Sequence, residues 1–167
     1  GSTIVHLGNN LAATESEIAN MALRIAGAGH TIGLTEAQVL GLAAGLSAVG
    51  IRAEMGGSAI SRTMIEIANA VETGTEELAL FAQVAGMTVE DFSRLFREDA
   101  AEAVIAFIEG LGTVRAEGEN LFLLLEELGL NEIRVRDLLL RAAGAGDLLR
   151  QSVQLGNQAW AENIALT

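Results

Sequence analysis

Not one of the 167 residues is a proline. Chains built from strands and tight turns ordinarily use proline and aromatic residues as punctuation, so this absence points to helix throughout. Half the residues are apolar but only 4% are aromatic, which leaves Ala, Leu, Val and Ile to fill the core. Such small and branched side chains suit closely packed helices. The length fits one domain, or at most two very small ones, and is enough to bury a core without cross-links. The expected fold class is all-α, a compact bundle or irregular superhelix of about eight short helices.

A connector used three times places several of the helix boundaries: Gly33-Leu34-Thr35, Gly86-Met87-Thr88 and Gly129-Leu130-Asn131. In each, glycine supplies a left-handed residue that ends one helix, and Thr or Asn caps the next. The apolar residue between them is set to pack on Val39, Phe92 and Val135 respectively, a hydrophobic staple in each case. A capping box is complete at Thr35 to Gln38, nearly so at Thr88 to Asp91, and present again at Thr14 to Glu17. Helices are therefore expected to start near residues 15, 36, 89 and 132. The uneven spacing of the connectors argues against a true repeat.

Between them, Ile60, Met64, Ile67, Ala68 and Val71 keep a helical period after a Gly56-Gly57-Ser58 turn, with Ser58 as the expected cap. Ala101, Val104, Ile105, Ile108 and Leu111 form another stripe. Leu121, Phe122, Leu124, Leu125 and Leu128 predict a short, almost fully buried helix. Leu149, Val153, Trp160 and Ile164 line a final helix from about Asp147, with Trp160 as a packing anchor.

Net charge is −12, and all ten basic residues are arginines spread singly from Arg24 to Arg150. A nucleic-acid binder needs a clustered basic face to displace counterions, so direct nucleic-acid binding is not expected. The absence of cysteine excludes a disulfide framework, a Cys-based zinc site and a thiol nucleophile. His6 and His30, the two histidines, stand in no metal-ligand spacing. Gly27-Ala28-Gly29-His30-Thr31-Ile32-Gly33 superficially resembles a dinucleotide loop, but its third glycine is misplaced and a helix precedes it, so it reads as a helix–helix turn.

The acid pairs Glu76-Glu77 and Glu126-Glu127, like Glu90-Asp91 and Glu98-Asp99, point about 100° apart on a helix and do not converge as a glycosidase acid and base must. No serine sits in a nucleophile elbow. Gly41 and Gly45 form a GxxxG face within an uncharged run from Ala37 to Ile51, which at about fifteen residues is short of the roughly twenty that span a bilayer. It reads as core packing. The sequence thus nominates no catalytic, cofactor-binding or metal-ligating residue, and no cofactor.

The order of residues adds a resemblance. Leu7-Gly8-Asn9-Asn10-Leu11-Ala12-Ala13-Thr14-Glu15-Ser16-Glu17-Ile18, Arg24 to Gly29, Gly33-Leu34-Thr35-Glu36 and Gly50 to Arg62 resemble the core region of bacteriophage tail tape measure proteins. Phe81 to Met87, Ala106 to Leu111 and Arg134 to Asp137 continue it, so that it covers nearly the whole chain from about Ile4. Asn9-Asn10 and Glu54-Met55-Gly56-Gly57-Ser58 are its most specific parts. These are family signatures and not catalytic motifs, so no functional residue carries over.

The resemblance implies a non-enzymatic structural role in a phage or prophage tail. The parent chain would be longer, would lie in the tail tube lumen of the virion after assembly in the host cytoplasm, and would set tail length. It implies the tail tube protein, tail assembly chaperones and tail tip or baseplate proteins as partners, with self-association open. In this reading Gly1 and Ser2 are a cloning scar, and 3–167 is a single helical core domain of a longer chain. A membrane-active or host-envelope module is the alternative, suggested by the hydrophobicity, Gly41 to Gly45 and the sparse charge between Ile25 and Ile51.

Overall fold

The computed structural model describes residues 2–166, with side-chain surroundings for 3–163. Among the described residues the chain forms ten helices and no strand. They are α1 (Ser2–Asn10), α2 (Glu15–Ile32), α3 (Glu36–Ala48), α4 (Ala53–Thr73), α5 (Glu77–Val84), α6 (Val89–Glu98), α7 (Ala100–Ala116), α8 (Leu121–Glu127), α9 (Ile133–Ala142) and α10 (Gly146–Leu166). The all-α expectation holds, and the helix count exceeds the expected eight by α1 and α5. Helix α5 escaped notice because its N-cap, Glu76, makes no side-chain capping bond. Without a Ser, Thr or Asn cap, only its Leu78, Phe81 and Ala82 face marks it.

The glycine connectors are helix stops. Gly33, Gly86 and Gly129 have φ of +102°, +75° and +73°. At the first, the Gly33 N–H donates to His30 O and the Leu34 N–H to Gly29 O, the paired bonds that close a helix around a left-handed residue. The same pair recurs at Gly86-Met87 and Gly129-Leu130, and also at Gly50-Ile51 and Gly118-Glu119. Where the residue after glycine is apolar it is turned inward: Leu34, Ile51 and Leu130 are buried, and Met87 is half-buried against the core, whereas Glu119 is exposed. The capping box is complete at Thr35–Gln38, with reciprocal bonds of 3.0 and 3.1 Å. Thr14 and Thr88 cap α2 and α6. The cap of α9 is Glu132 in place of Asn131, its carboxylate accepting from the Arg134 and Val135 N–H groups. Leu130 and Val135 are nonetheless both buried in the core.

Three local expectations are overturned. Ser58 caps nothing, because α4 already begins at Ala53 and runs through Gly56 and Gly57 without a positive φ. These two glycines make room for a neighbour. A Cβ on Gly57 would lie 2.6 Å from Arg24 Cβ of α2, and one on Gly56 would collide with the Ile51 side chain. The turn expected across Gly27 to Gly33 is confined to Gly33, since α2 continues to Ile32. Helix α8 is not almost fully buried. Its Leu121 and Leu125 are buried and Leu124 is half-buried against the core, while Phe122 and Leu123 are exposed, and the Arg136 guanidinium lies 5.2 Å from the Phe122 ring centre.

The uncharged run is the central helix. Helix α3 is buried on most of its circumference, packed against α2 and α10 and touched by α1, as befits a helix apolar all round. Gly41 and Gly45 do serve core packing. A Cβ on Gly41 would lie 2.6 Å from both Ser152 O and Val153 Cα of α10, and one on Gly45 2.9 Å from Leu149 Cδ2. Gly156 returns the favour, its Cβ position lying 2.7 Å from Ala37 O. The stripes of α4 and α7 are buried as expected, save that Ala68 is half-buried. Trp160 is half-buried on α10, and Ile164 lies outside the described side chains. One continuous cluster draws buried residues from all ten helices, with Phe81 and Phe107 edge to face at 5.1 Å near its centre.

Candidate functional site

The two histidines singled out in the sequence lie on different helices. His6 is half-buried on α1 and His30 exposed in the last turn of α2. Among the described residues no group of three or more His, Cys, Asp and Glu side chains is arranged to hold a metal ion. The acid pairs Glu76-Glu77 and Glu90-Asp91 are exposed at the starts of α5 and α6, where the positive helix end favours them. Asp99 is spent as the cap of α7, accepting from the Glu102 N–H, and as acceptor for Gln38 Nε2 at 3.0 Å.

The most densely bonded polar cluster joins α10 to α7. The Arg150 guanidinium donates to Glu102 at 2.8 and 2.9 Å and to Glu109 at 3.0 Å, with Asp147 at 3.7 Å. Gly146 leaves space for it, since a Cβ there would lie 2.8 Å from Glu109 Cβ. Hydrogen bonds from Glu102 and then Glu109 hold the Arg150 pKa above the ordinary arginine value, against the opposing effect of burial. The guanidinium is held by two carboxylates from the facing helix, an arrangement that joins elements and does not converge on an open cavity. The cluster is a clasp between helices.

Two surface depressions bring together charges that the sequence keeps apart. At the start of α4, a cavity of about 130 Å³ is rimmed by Arg52, Arg134 and Arg141, with Ile51, Met55 and Leu138 as its apolar lining and Asp137 as its carboxylate. All three arginines are exposed, and among the described residues none of the three guanidinium groups has an ion-pair or hydrogen-bond partner. Toward the other end of α4, Glu66, Glu77, Glu126 and Glu127 line one acidic depression of about 390 Å³. Carboxylates from the two pairs thus do share a site, contributed by α5 and α8 and joined by Glu66 of α4. The spacing of Arg134 and Arg141, two turns apart on α9, was legible in the sequence. Arg52 reaches the same cavity only because α4 packs on α9.

Compared with family models, with curated proteins and with solved structures, the chain matches none. Among the described residues no helix is long and apolar enough to cross a membrane.

Proposed function

We propose that this chain is the core region of a phage tail tape measure protein, a structural tail component without enzymatic activity. What supports the reading is where the resembling segments fall. Gly33-Leu34-Thr35-Glu36 and Phe81 to Met87 contain two of the paired-bond helix stops. Gly56-Gly57 is the close contact of α4 with α2 and with Ile51, and Gly110 sits against the Val84 carbonyl of α5. The resembling segments thus include residues that set helix ends and helix crossings, as a structural role requires. By the same resemblance the parent chain occupies the tail tube lumen and meets the tube protein, the assembly chaperones and the tip or baseplate.

The alternative, a membrane-active or host-envelope module, drew on Gly41, Gly45 and the uncharged run, which in the fold are packed between α2 and α10. The tail reading is tested by in-frame deletions in the parent gene followed by electron microscopy of tails. Removal of an extended helical stretch outside this core should shorten the tail in proportion, at roughly 1.5 Å per residue. Loss of the compact core should instead disrupt tail initiation, termination or infectivity. Infectious tails of normal length after loss of the core would refute the role.

A further inference from the structure

The arginine-rimmed cavity is anomalous on a molecule of net charge −12. Three of its ten arginines converge there against one aspartate, Asp137. Glu54, further round α4, lines an adjoining depression with Glu17, and Arg52 borders both. The start of α4 adds little to the field: its N-cap Arg52 makes no side-chain capping bond, and Glu54 in the first turn offsets the positive helix end. The lining beneath is apolar, with Ile51 and Leu138 in the floor and Met55 half-exposed at the edge. Such a site fits a carboxylate-bearing segment that also carries an apolar side chain. Nucleic acid is the poorer occupant, since three arginines release few counterions and the acidic remainder repels a strand running beyond the cavity.

A segment of that chemistry is present on the chain itself. Helix α8 exposes Phe122 and Leu123 one turn from the exposed Glu126 and Glu127, so that apolar and acidic groups share a face. Glu66 and Glu77 extend the acidic surface, with Arg62 pairing Glu66 at 3.1 Å. Within one copy the two surfaces are distinct depressions with no lining residue in common and no ion pair between them among the described residues. They border α4 near Arg52 and near Glu66 respectively, about fourteen residues or roughly 21 Å apart along that helix.

We propose that the Arg52, Arg134 and Arg141 cavity is the docking site for α8 of a second copy of this chain. Glu126 and Glu127 meet the arginines, and Leu123 meets the apolar lining, so that copies associate head to tail. Overall repulsion does not forbid this, because at physiological ionic strength charges beyond about 8 Å are largely screened and the local pairing decides. Two different patches make the contact, so it is of the kind that builds rings or filaments and not a closed twofold dimer. The inference stands independently of the tail reading.

Sedimentation equilibrium of the 167-residue chain over a concentration series up to about 1 mM tests it. The expected result is reversible association that weakens as salt is raised. Arg134→Glu with Arg141→Glu, and separately Glu126→Arg with Glu127→Arg, should each weaken it at least about tenfold with unchanged helical circular dichroism, since all four side chains are exposed. Mixing the two charge-reversed variants should restore association. A chain that stays monomeric throughout, or an association indifferent to either reversal or unrestored on mixing, would overturn the proposal.

Discussion

At the residue scale, glycine has two distinct uses in this chain, helix stop and helix crossing, and they are unequally legible in the sequence. Gly33, Gly86 and Gly129 sit in a recognisable frame, apolar residue next and a cap after it in two of the three, and their positive φ follows from the frame. Gly57 looks the same in composition yet serves a helix crossing, and the neighbour that needs the space, Arg24 on α2, is more than thirty residues away in sequence. Local pattern cannot supply that partner. A paired substitution separates the uses. Gly41→Ala places a methyl 2.6 Å from two backbone atoms of α10 that cannot step aside, and should destabilise by about 1–3 kcal/mol. Gly27→Ala, at an exposed helical position with nothing within 4 Å, should stabilise by about 0.5–1 kcal/mol through helix propensity. Chemical denaturation of the two variants reads the sign directly. Equal effects would mean that α3 and α10 do not approach as closely as described.

At the element scale, the helices with Thr caps or strong apolar periodicity were legible, whereas α5, which lacks a capping side chain, was not, and for α8 the helix was legible but its burial was not. Helices α2, α3 and α6 start at their Thr caps, within a residue of expectation. Helix α5 starts without a capping side chain, and α8 carries more leucine than its single buried stripe can use. In α8 an apolar run was read as burial, whereas a seven-residue helix offers only about two turns to the core and leaves Phe122 and Leu123 outside. The charged depressions were illegible for a related reason. Arg52 and Arg134 become neighbours only through the packing of α4 on α9. The cap itself is open to measurement. Thr35→Ala removes the acceptor for the Gln38 N–H and breaks the reciprocal box, at a cost of about 1 kcal/mol. In a chain of this size that should lower Tm by about 2–4 °C. An unchanged Tm would show that the box contributes no net stability.

At the scale of the whole molecule, the question is whether the apolar character of the chain is available to a bilayer. The uncharged helix α3 is the natural candidate, and the fold uses it inside: α2 on one side, α10 on another and α1 across it. Helix α10 closes this arrangement through the interlocked small residues Gly41, Gly45, Ser152 and Gly156, and Arg150 ties it to Glu102 and Glu109 of α7. Presenting α3 to lipid would require α10 to leave both partners. Each buried leucine re-exposed, Leu42, Leu46 and Leu149 among them, would cost about 1.5–3 kcal/mol before lipid could compensate. The intact chain should therefore remain at the bottom of a flotation gradient with neutral phosphatidylcholine vesicles at physiological salt. A chain truncated ahead of Gly146, with the α10-facing side of α3 bare, should rise with the vesicles or aggregate. If the intact protein floats while its circular dichroism stays that of the folded chain, the apolar surface in use is not the one buried here, and the membrane reading displaces the structural one.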